Sequence, residues 1–438
     1  MFVLWGTPNI VAQNQNSKMR TLLLLIICSI SFALKAQIKH DSVSTGAGNA
    51  DQIWYSLENG EVSSAALSSW HLGFEISGIT SSILFNSAAG NHLYVYPNGD
   101  TADWDKIDTN GLSTWKACYN ADTSWAHGAF NANLRADDAF DLGWGVYNIN
   151  NHSVVGDSLY VITLANGDAR KLWIERLAGG EYFFTSAHLD GSNEVSASIK
   201  KDDYKGKNFG YFNLVTGTST DMEPASKDWD LLFTKYTTQI PVGPGMFLPY
   251  GVSGVLANAG TTVSRVHPVD DPETFSDYTS LPKHSSINVI GSNWKRYDFI
   301  SSKYLIEDSM VHIVETADAS IWKVVMTGYG GSSTGQFNFY KELLFTTGTN
   351  EIANTSGLLE VFPNPSSVGQ QVTVVSTLKG NEQKSLQIVS LQGTVMQSRN
   401  IESGLQTTTL STEELSSGIY FIVVSNGTTS ITKKLIVR

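Results

Sequence analysis

From about residue 40 to residue 347 the chain alternates short apolar runs with clusters of Gly, Asn, Asp and Ser. Leu159-Tyr160-Val161-Ile162-Thr163-Leu164, then Ala165-Asn166-Gly167-Asp168, then Leu172-Trp173-Ile174 shows the pattern. An Asn-Gly step between β-branched and aromatic runs is the strongest short-range hairpin signal. No long segment carries helical periodicity, so the spacing predicts an all-β, antiparallel body.

The pattern also repeats. Tyr55 leads through a turn to Ser69-Trp70-His71-Leu72-Gly73-Phe74 and then Ile83-Leu84-Phe85-Asn86-Ser87-Ala88-Ala89-Gly90. Tyr211 leads through a similar turn to Asp228-Trp229-Asp230-Leu231-Leu232-Phe233 and then Val255-Leu256-Ala257-Asn258-Ala259-Gly260. Gly143-Trp144, Asp157-Ser158-Leu159 and Asp168-Ala169 are echoed by Asn293-Trp294, Asp308-Ser309-Met310 and Asp318-Ala319. Two copies make two related β-units, or one unit of duplicated halves, rather than a solenoid. The expected division is a first β repeat over 37–198 and a second over 199–347, followed by a small, polar linker at 348–357. Trp70 and Trp229 hold equivalent places on apolar strands and are expected to anchor the core.

Residues 1–36 read as a signal-peptide region. Met19-Arg20-Thr21 supplies a charged start, Leu22 to Ala33 an apolar run, and Ala36 the small residue before cleavage. Met19 fits this scheme as the true start better than Met1. Ile27 stands where a lipid-attachment motif before Cys28 needs a small residue, so lipidation is not expected. No later run is long and apolar enough to cross a membrane as a helix, so a soluble mature chain is expected. Cys118 is then the one cysteine of the mature chain, with no internal disulfide partner, and is expected to be a small buried apolar residue. Charged residues make up only 16% of the chain while aromatics reach 11%, the balance of an extracellular β-protein. A net charge of −12 argues against nucleic acid and against electrostatic adhesion to anionic lipid.

The last segment, 358–438, opens with Leu359-Glu360-Val361-Phe362-Pro363-Asn364-Pro365. It runs through Leu386-Gln387-Ile388-Val389-Ser390-Leu391-Gln392-Gly393 and Leu415-Ser416-Ser417-Gly418-Ile419-Tyr420-Phe421, and ends on Lys433-Lys434-Leu435-Ile436-Val437-Arg438. This resembles the C-terminal sorting domain of type IX secretion cargo. The resemblance implies a small β-sandwich, export through the periplasm to the outer-membrane surface or beyond, and the type IX machinery as partner. Lys433, Lys434, Leu435, Ile436, Val437 and Arg438 are the expected sorting signal.

A second resemblance covers 200–347. Trp229-Asp230-Leu231-Leu232-Phe233, the hairpin from Tyr304 to Tyr329, Lys323, and Thr327-Gly328-Tyr329-Gly330-Gly331-Ser332-Ser333-Thr334-Gly335-Gln336-Phe337-Asn338-Phe339 look like a HmuY-type domain. The first copy matches more loosely, since His71 follows Trp70 where Asp is expected. The resemblance implies an all-β fold and haem as a ligand.

Haem iron needs an axial His or Met projected into an apolar pocket. His267 and His284 lie in the variable insertion between Asn258 and Ile287 and are the candidate ligands, with Met246 as a soft alternative and exposed loop histidines as the plainer reading. His312 sits in the alternating run Met310-Val311-His312-Ile313-Val314, structural or solvent-facing. His267-Pro268-Val269-Asp270-Asp271-Pro272-Glu273 suits zinc poorly. Asp100, Asp103, Asp105 and Asp108 form an acidic loop around Trp104 without the glycine an EF-hand requires. Gly331-Ser332-Ser333-Thr334-Gly335 spells a nucleophile elbow, but a strand follows it and no histidine comes after His312. No nucleophile or acid–base constellation stands out, so an enzyme is not expected. The expectation is a secreted or cell-surface, non-catalytic binding protein, with haem as the implied ligand. The alternative is a structural or adhesive surface protein binding glycans or proteins.

Overall fold

The computed structural model describes residues 38–346, 357–378, 384–391, 393–402, 404–426 and 430–438. The signal-peptide region lies outside the described residues, as does the linker except for Gly357, which opens a strand. The described residues are antiparallel β, with short 3₁₀ turns and a single helical turn at Gly331–Thr334. None of their helices is long and apolar enough to cross a membrane.

In the body the packed units and the sequence repeats are out of phase. One unit joins the sheet Val195–Lys200, Glu181–His188, Ala169–Ala178, Leu159–Thr163, His92–Val95, Ala117–Cys118 to the sheet Thr218–Thr220, Phe209–Asn213, Leu72–Glu75, Ile83–Phe85. Leu72, Phe74, Tyr160, Ile162, Phe184 and Phe212 meet in its core. The other joins Lys39–Ser44, Gln336–Phe345, Ile321–Tyr329, Val311–Glu315, Thr262–Val266 to Met246–Ala257, Leu231–Gly243, Asp51–Ser56, Gly60–Ala66. Its core gathers Val43, Tyr55, Phe233, Val324, Phe337 and Phe339. The first unit is thus inserted in the chain of the second, the host unit. The host closes by pairing its earliest strand with its last, Lys39 opposite Lys341 through Ser44 opposite Gln336. A buried polar chain staples that seam: Lys341 Nζ donates to the Tyr55 hydroxyl, which donates to Asp41 Oδ2 at 2.6 Å.

The same local design recurs in both units. The Asn86 amide donates to the carbonyls of Leu67 and Trp70 at 2.6 and 3.0 Å. The Asn258 amide donates to those of Ser226 and Trp229, both at 2.7 Å. Each asparagine satisfies a 3₁₀ turn and fixes the strand after the tryptophan. Trp70 and Trp229 are both buried. The sequence pairing of Tyr55 with Tyr211 is one residue off. His71 N–H bonds the carbonyl of Phe212 as Asp230 N–H bonds that of Tyr55, so Phe212 is the counterpart. A slip of one residue exchanges the two faces of a strand: Tyr55 and Phe212 face the cores, whereas Trp54 and Tyr211 join apolar clusters on the other side.

A loop of the inserted unit grips the host. Trp125 Nε1 donates to the Ala257 carbonyl at 2.9 Å, Ile287 N–H to that of Thr123 at 3.1 Å, and Thr238 to Asp122. Cys118 is buried among apolar side chains, and burial pushes its thiol up.

The tail pairs the sheet Gly357–Phe362, Gln371–Leu378, Gln406–Ser411 with the sheet Val395–Ile401, Lys384–Ser390, Gly418–Ser425, Ser430–Val437. Strict alternation, as in Val372, Val374, Leu378 and in Ile422, Val424, Leu435, Val437, fills one shared core. The expected sorting signal is the end of its last strand: Leu435 and Val437 are buried while Lys434 and Arg438 are exposed.

Candidate functional site

Comparing the two units isolates what one has and the other lacks. In the inserted unit the strands after Trp70 are short, Leu72–Glu75 and Ile83–Phe85. Their host counterparts are Leu231–Gly243 and Met246–Ala257, a long ribbon whose outer half stands clear of the core. Register places Ile240, Leu248 and Tyr250 on one face and Pro241, Phe247 and Pro249 on the other. Both faces are therefore apolar. Val242, Met246, Phe247, Leu248 and Tyr250 are each more than half exposed. Residues 236–264 contain no Asp, Glu, Lys, Arg or His.

A second hairpin runs beside the first. Trp144 and Trp294 are fully buried at the bases of equivalent hairpins, each indole N–H bonded to a backbone carbonyl at 3.0 Å. The inserted unit's hairpin ends in Asn148-Ile149-Asn150-Asn151-His152, polar except for Ile149, the host's in Asp298-Phe299-Ile300-Ser301-Ser302. His152 and Ser302 both adopt φ near +55°, the left-handed residue that closes the turn. Phe299 is 86% exposed and Ile300 97%. Asp298 is tied into this turn, accepting from Ser301 N–H at 3.0 Å and Ser301 Oγ at 2.5 Å.

The two host hairpins point the same way. Near their bases Lys295 Nζ donates to the Ser253 carbonyl at 2.5 Å, 4.5 Å from the Trp294 ring centre and 4.7 Å from that of Tyr329. Burial pushes this ammonium down to about 7. Farther out, burial and then the nearness of Tyr329, Tyr250 and Tyr297 push the Tyr304 phenol up. Ring contacts at 4.9, 4.8, 5.2 and 5.1 Å connect Phe337, Tyr329, Tyr304, Tyr297 and Phe299 in turn. This aromatic ladder leads from the core to the exposed tip and gives the hairpin a rigid footing.

The sequence candidates lie elsewhere. His284 is exposed and pairs by backbone with Val263, while His267 follows Val266 and places Nε2 3.9 Å from Glu307 Oε2. Four residues of strand separate Val263 from His267, roughly 13 Å. No large exposed apolar side chain among the described residues falls within 263–287, so the two histidines lack the apolar lining a haem iron favours. Met246 is eleven residues along its strand from Ala257, roughly 35 Å, whereas His284 is close to Ile287, whose carbonyl takes the Ala257 N–H. Met246 and His284 therefore do not converge. His312 is fully buried, with neither ring nitrogen in a hydrogen bond. Burial, then the Arg265 charge, pushes its imidazole down to about 3; the Val324 carbonyl favours the charged ring, out of hydrogen-bonding line. Among the described residues no three His, Cys, Asp or Glu side chains group to hold a metal ion. Asp100 and Asp103 form a capping box, and Asp103 pairs with Lys106 at 2.8 Å.

Sequence reading did not find Lys171 and named Lys323 only within the HmuY resemblance, without its structural role; the two are equivalent buried lysines. Lys171 Nζ donates to the Trp104 carbonyl at 2.8 Å, and Lys323 Nζ to those of Glu273 and Phe275 at 2.7 and 3.0 Å. Each ties a long insertion to its sheet. At the junction of the two units, Trp70, Leu84, Trp125 and Leu256 help to line an apolar cavity of about 70 Å³. A more polar groove of about 380 Å³ opens on the other side of Trp125.

Residues 360–438 match the family described as "Secretion system C-terminal sorting domain". The tail is a type IX sorting domain. It implies that the chain is exported to the cell surface or beyond and engages the secretion machinery. No curated protein matches the chain. Among solved structures the chain is similar to one described as "Biofilm associated protein - BSP domain", at 9% identity over 93% of this chain and 79% of that one. The TM-score of 0.16 is too low to carry an argument.

Proposed function

We propose that this exported chain is a non-catalytic binding protein and that the paired apolar hairpins of the host unit form its binding surface. One observation carries the reading. Two units share local designs, and the host alone extends a long charge-free ribbon and an Asp-Phe-Ile tip into solvent. Apolar surface gathered at two adjacent tips marks a site of interaction. The non-catalytic part is supported by how the fold uses its buried ionisable groups: Lys341 in a strand seam, Lys323 on loop carbonyls, and Glu223 on Tyr211 and the Asn208 N–H.

The test is an environment-sensitive apolar dye, anilinonaphthalene sulfonate, added to the full exported chain. Strong emission should be lost in Phe247→Ser/Phe299→Ser while the urea midpoint stays within about 0.5 kcal/mol of the parent. Unchanged emission would remove the hairpins as the receptive surface. Haem bound through His267 and His284 is a separate reading, away from the hairpins, supported by the HmuY resemblance alone. It predicts a Soret band on haemin addition that His267→Ala/His284→Ala abolishes. If haemin gives no Soret band, that reading is wrong. Binding to a glycan array, insensitive to the hairpin substitutions, would favour the adhesive alternative instead.

A further inference from the structure

We propose that the paired hairpins seat on the surface of an anionic lipid bilayer. The proposal rests on the hairpins being the binding surface and names what occupies them. A flat or grooved protein face would cover one side of the ribbon. Here Ile240, Leu248 and Tyr250 face one way and Pro241, Phe247 and Pro249 the other, so the occupant must surround the ribbon. Strand addition is disfavoured as well, because Pro241 and Pro249 put a residue without an N–H on each strand of the ribbon. A fluid apolar medium accommodates both faces.

Depth and charge agree with a bilayer interface. The Phe299-Ile300 tip is a turn that begins one strand residue beyond the Tyr297–Tyr304 pair, with the Phe299 ring 5.1 Å from that of Tyr297. A tip this shallow suits the interface rather than the hydrocarbon centre, with the tyrosines directly behind it at headgroup level, where such rings collect. A two-stranded ribbon has open edges, which hydrocarbon does not tolerate, so it rests in the interface and does not span. Exposed Arg296 and Lys303 flank the second tip, and the carboxylate between them, Asp298, is engaged by the turn. Two cations against one carboxylate leave this second tip locally cationic within a chain of net charge −12, while the ribbon tip carries no charge. The global charge that argued against anionic lipid is distributed elsewhere.

The test is flotation of the full exported chain with phosphatidylcholine vesicles, with and without phosphatidylglycerol. Binding should require phosphatidylglycerol and weaken with salt. Phe299→Ser/Ile300→Ser, and independently Phe247→Ser/Leu248→Ser, should each lower partitioning by at least about tenfold. Arg296→Gln/Lys303→Gln should lower it by about fivefold per cation on anionic vesicles. No flotation with either vesicle, or flotation unaffected by both tip pairs, overturns the proposal. If the dye emission still depends on the hairpins in that case, only the lipid occupant is wrong. If it does not, the binding-surface reading falls with it.

Discussion

His71 and Asp230 do the same work in the two units with different chemistry. Asp230 Oδ2 accepts the N–H of Leu57 at 2.7 Å; His71 Nδ1 accepts the N–H of Leu214 at 3.2 Å. Acceptance requires a neutral ring, and burial, with the Arg170 charge, pushes the His71 imidazole down to about 4. The folded pKa is thus below the usual ~6.5 of the unfolded chain, so this stability is whole above about pH 6.5 and is lost as pH falls toward 4. The loss is of order 3 kcal/mol. His71→Asn retains an acceptor that does not titrate. Its urea midpoint should fall less than the parent's between pH 7 and pH 4; equal falls would show that His71 does not carry the dependence.

Glu223 works in the opposite direction. It is buried, accepts from the Asn208 N–H at 3.0 Å and from the Tyr211 hydroxyl at 2.8 Å, and burial raises its carboxyl to about 7. A raised pKa means stability that is whole below about 4.5 and lost as pH rises through 7. Glu223→Gln should flatten the decline in melting temperature between pH 6 and pH 8.5. A decline as steep as the parent's would place its origin elsewhere.

Lys323 joins an insertion to the sheet and faces Glu342 Oε2 at 2.6 Å, out of line for a hydrogen bond. Lys323→Met strands that carboxylate and frees the Glu273 and Phe275 carbonyls, at a cost of about 3–5 kcal/mol. Limited proteolysis should then cut within 268–277 first. Lys323→Met/Glu342→Leu should recover much of the loss, and no recovery would mean that the loop tether, rather than the charge pair, dominates.

Strand alternation, Asn-Gly turns and the repeated Trp positions made the β class and the duplication legible, because each is a local pattern. What stayed hidden is non-local. Nothing in Lys39–Ser44 indicates that its partner is Gln336–Phe345, so the interleaving of the two units could not be read. Histidines drew attention in the search for a ligand site because their chemistry is recognisable one residue at a time. The hairpins were marked instead by an absence, the uncharged stretch 236–264, and by exposure, which a sequence does not display. Lys171 drew no notice and Lys323 entered only through the HmuY resemblance, because the insertions they hold are distant in sequence.

Trp229 is buried in a cluster with Trp54, Leu232, Leu256 and Ile287. Trp229→Ala should remove about 3–5 kcal/mol, the usual cost of deleting a large buried aromatic. Urea denaturation measures it directly. A shift under about 1 kcal/mol would mean that Trp125 and Met222, which pack against the same cluster, collapse into the space.

The sorting signal is best tested by separating its charges from its fold. Leu435 and Val437 lie in the core of the tail, and Arg438 N–H bonds the Ser366 carbonyl at 2.8 Å, while Ser366 N–H bonds that of Ile436 at 2.9 Å. Deleting 433–438 therefore removes half of a paired strand and should unfold the tail as well as stop export, leaving the body folded. Lys433 is within 3.4 Å of Glu360, and Lys434 points to solvent. Lys433→Gln/Lys434→Gln should leave the tail folded, since exposed pairs contribute about 0–1 kcal/mol. If the machinery reads the cations, this variant accumulates in the periplasm although its tail still melts cooperatively. If it is exported at the parent's rate, recognition lies in the folded sandwich, and the deletion acts by destroying it.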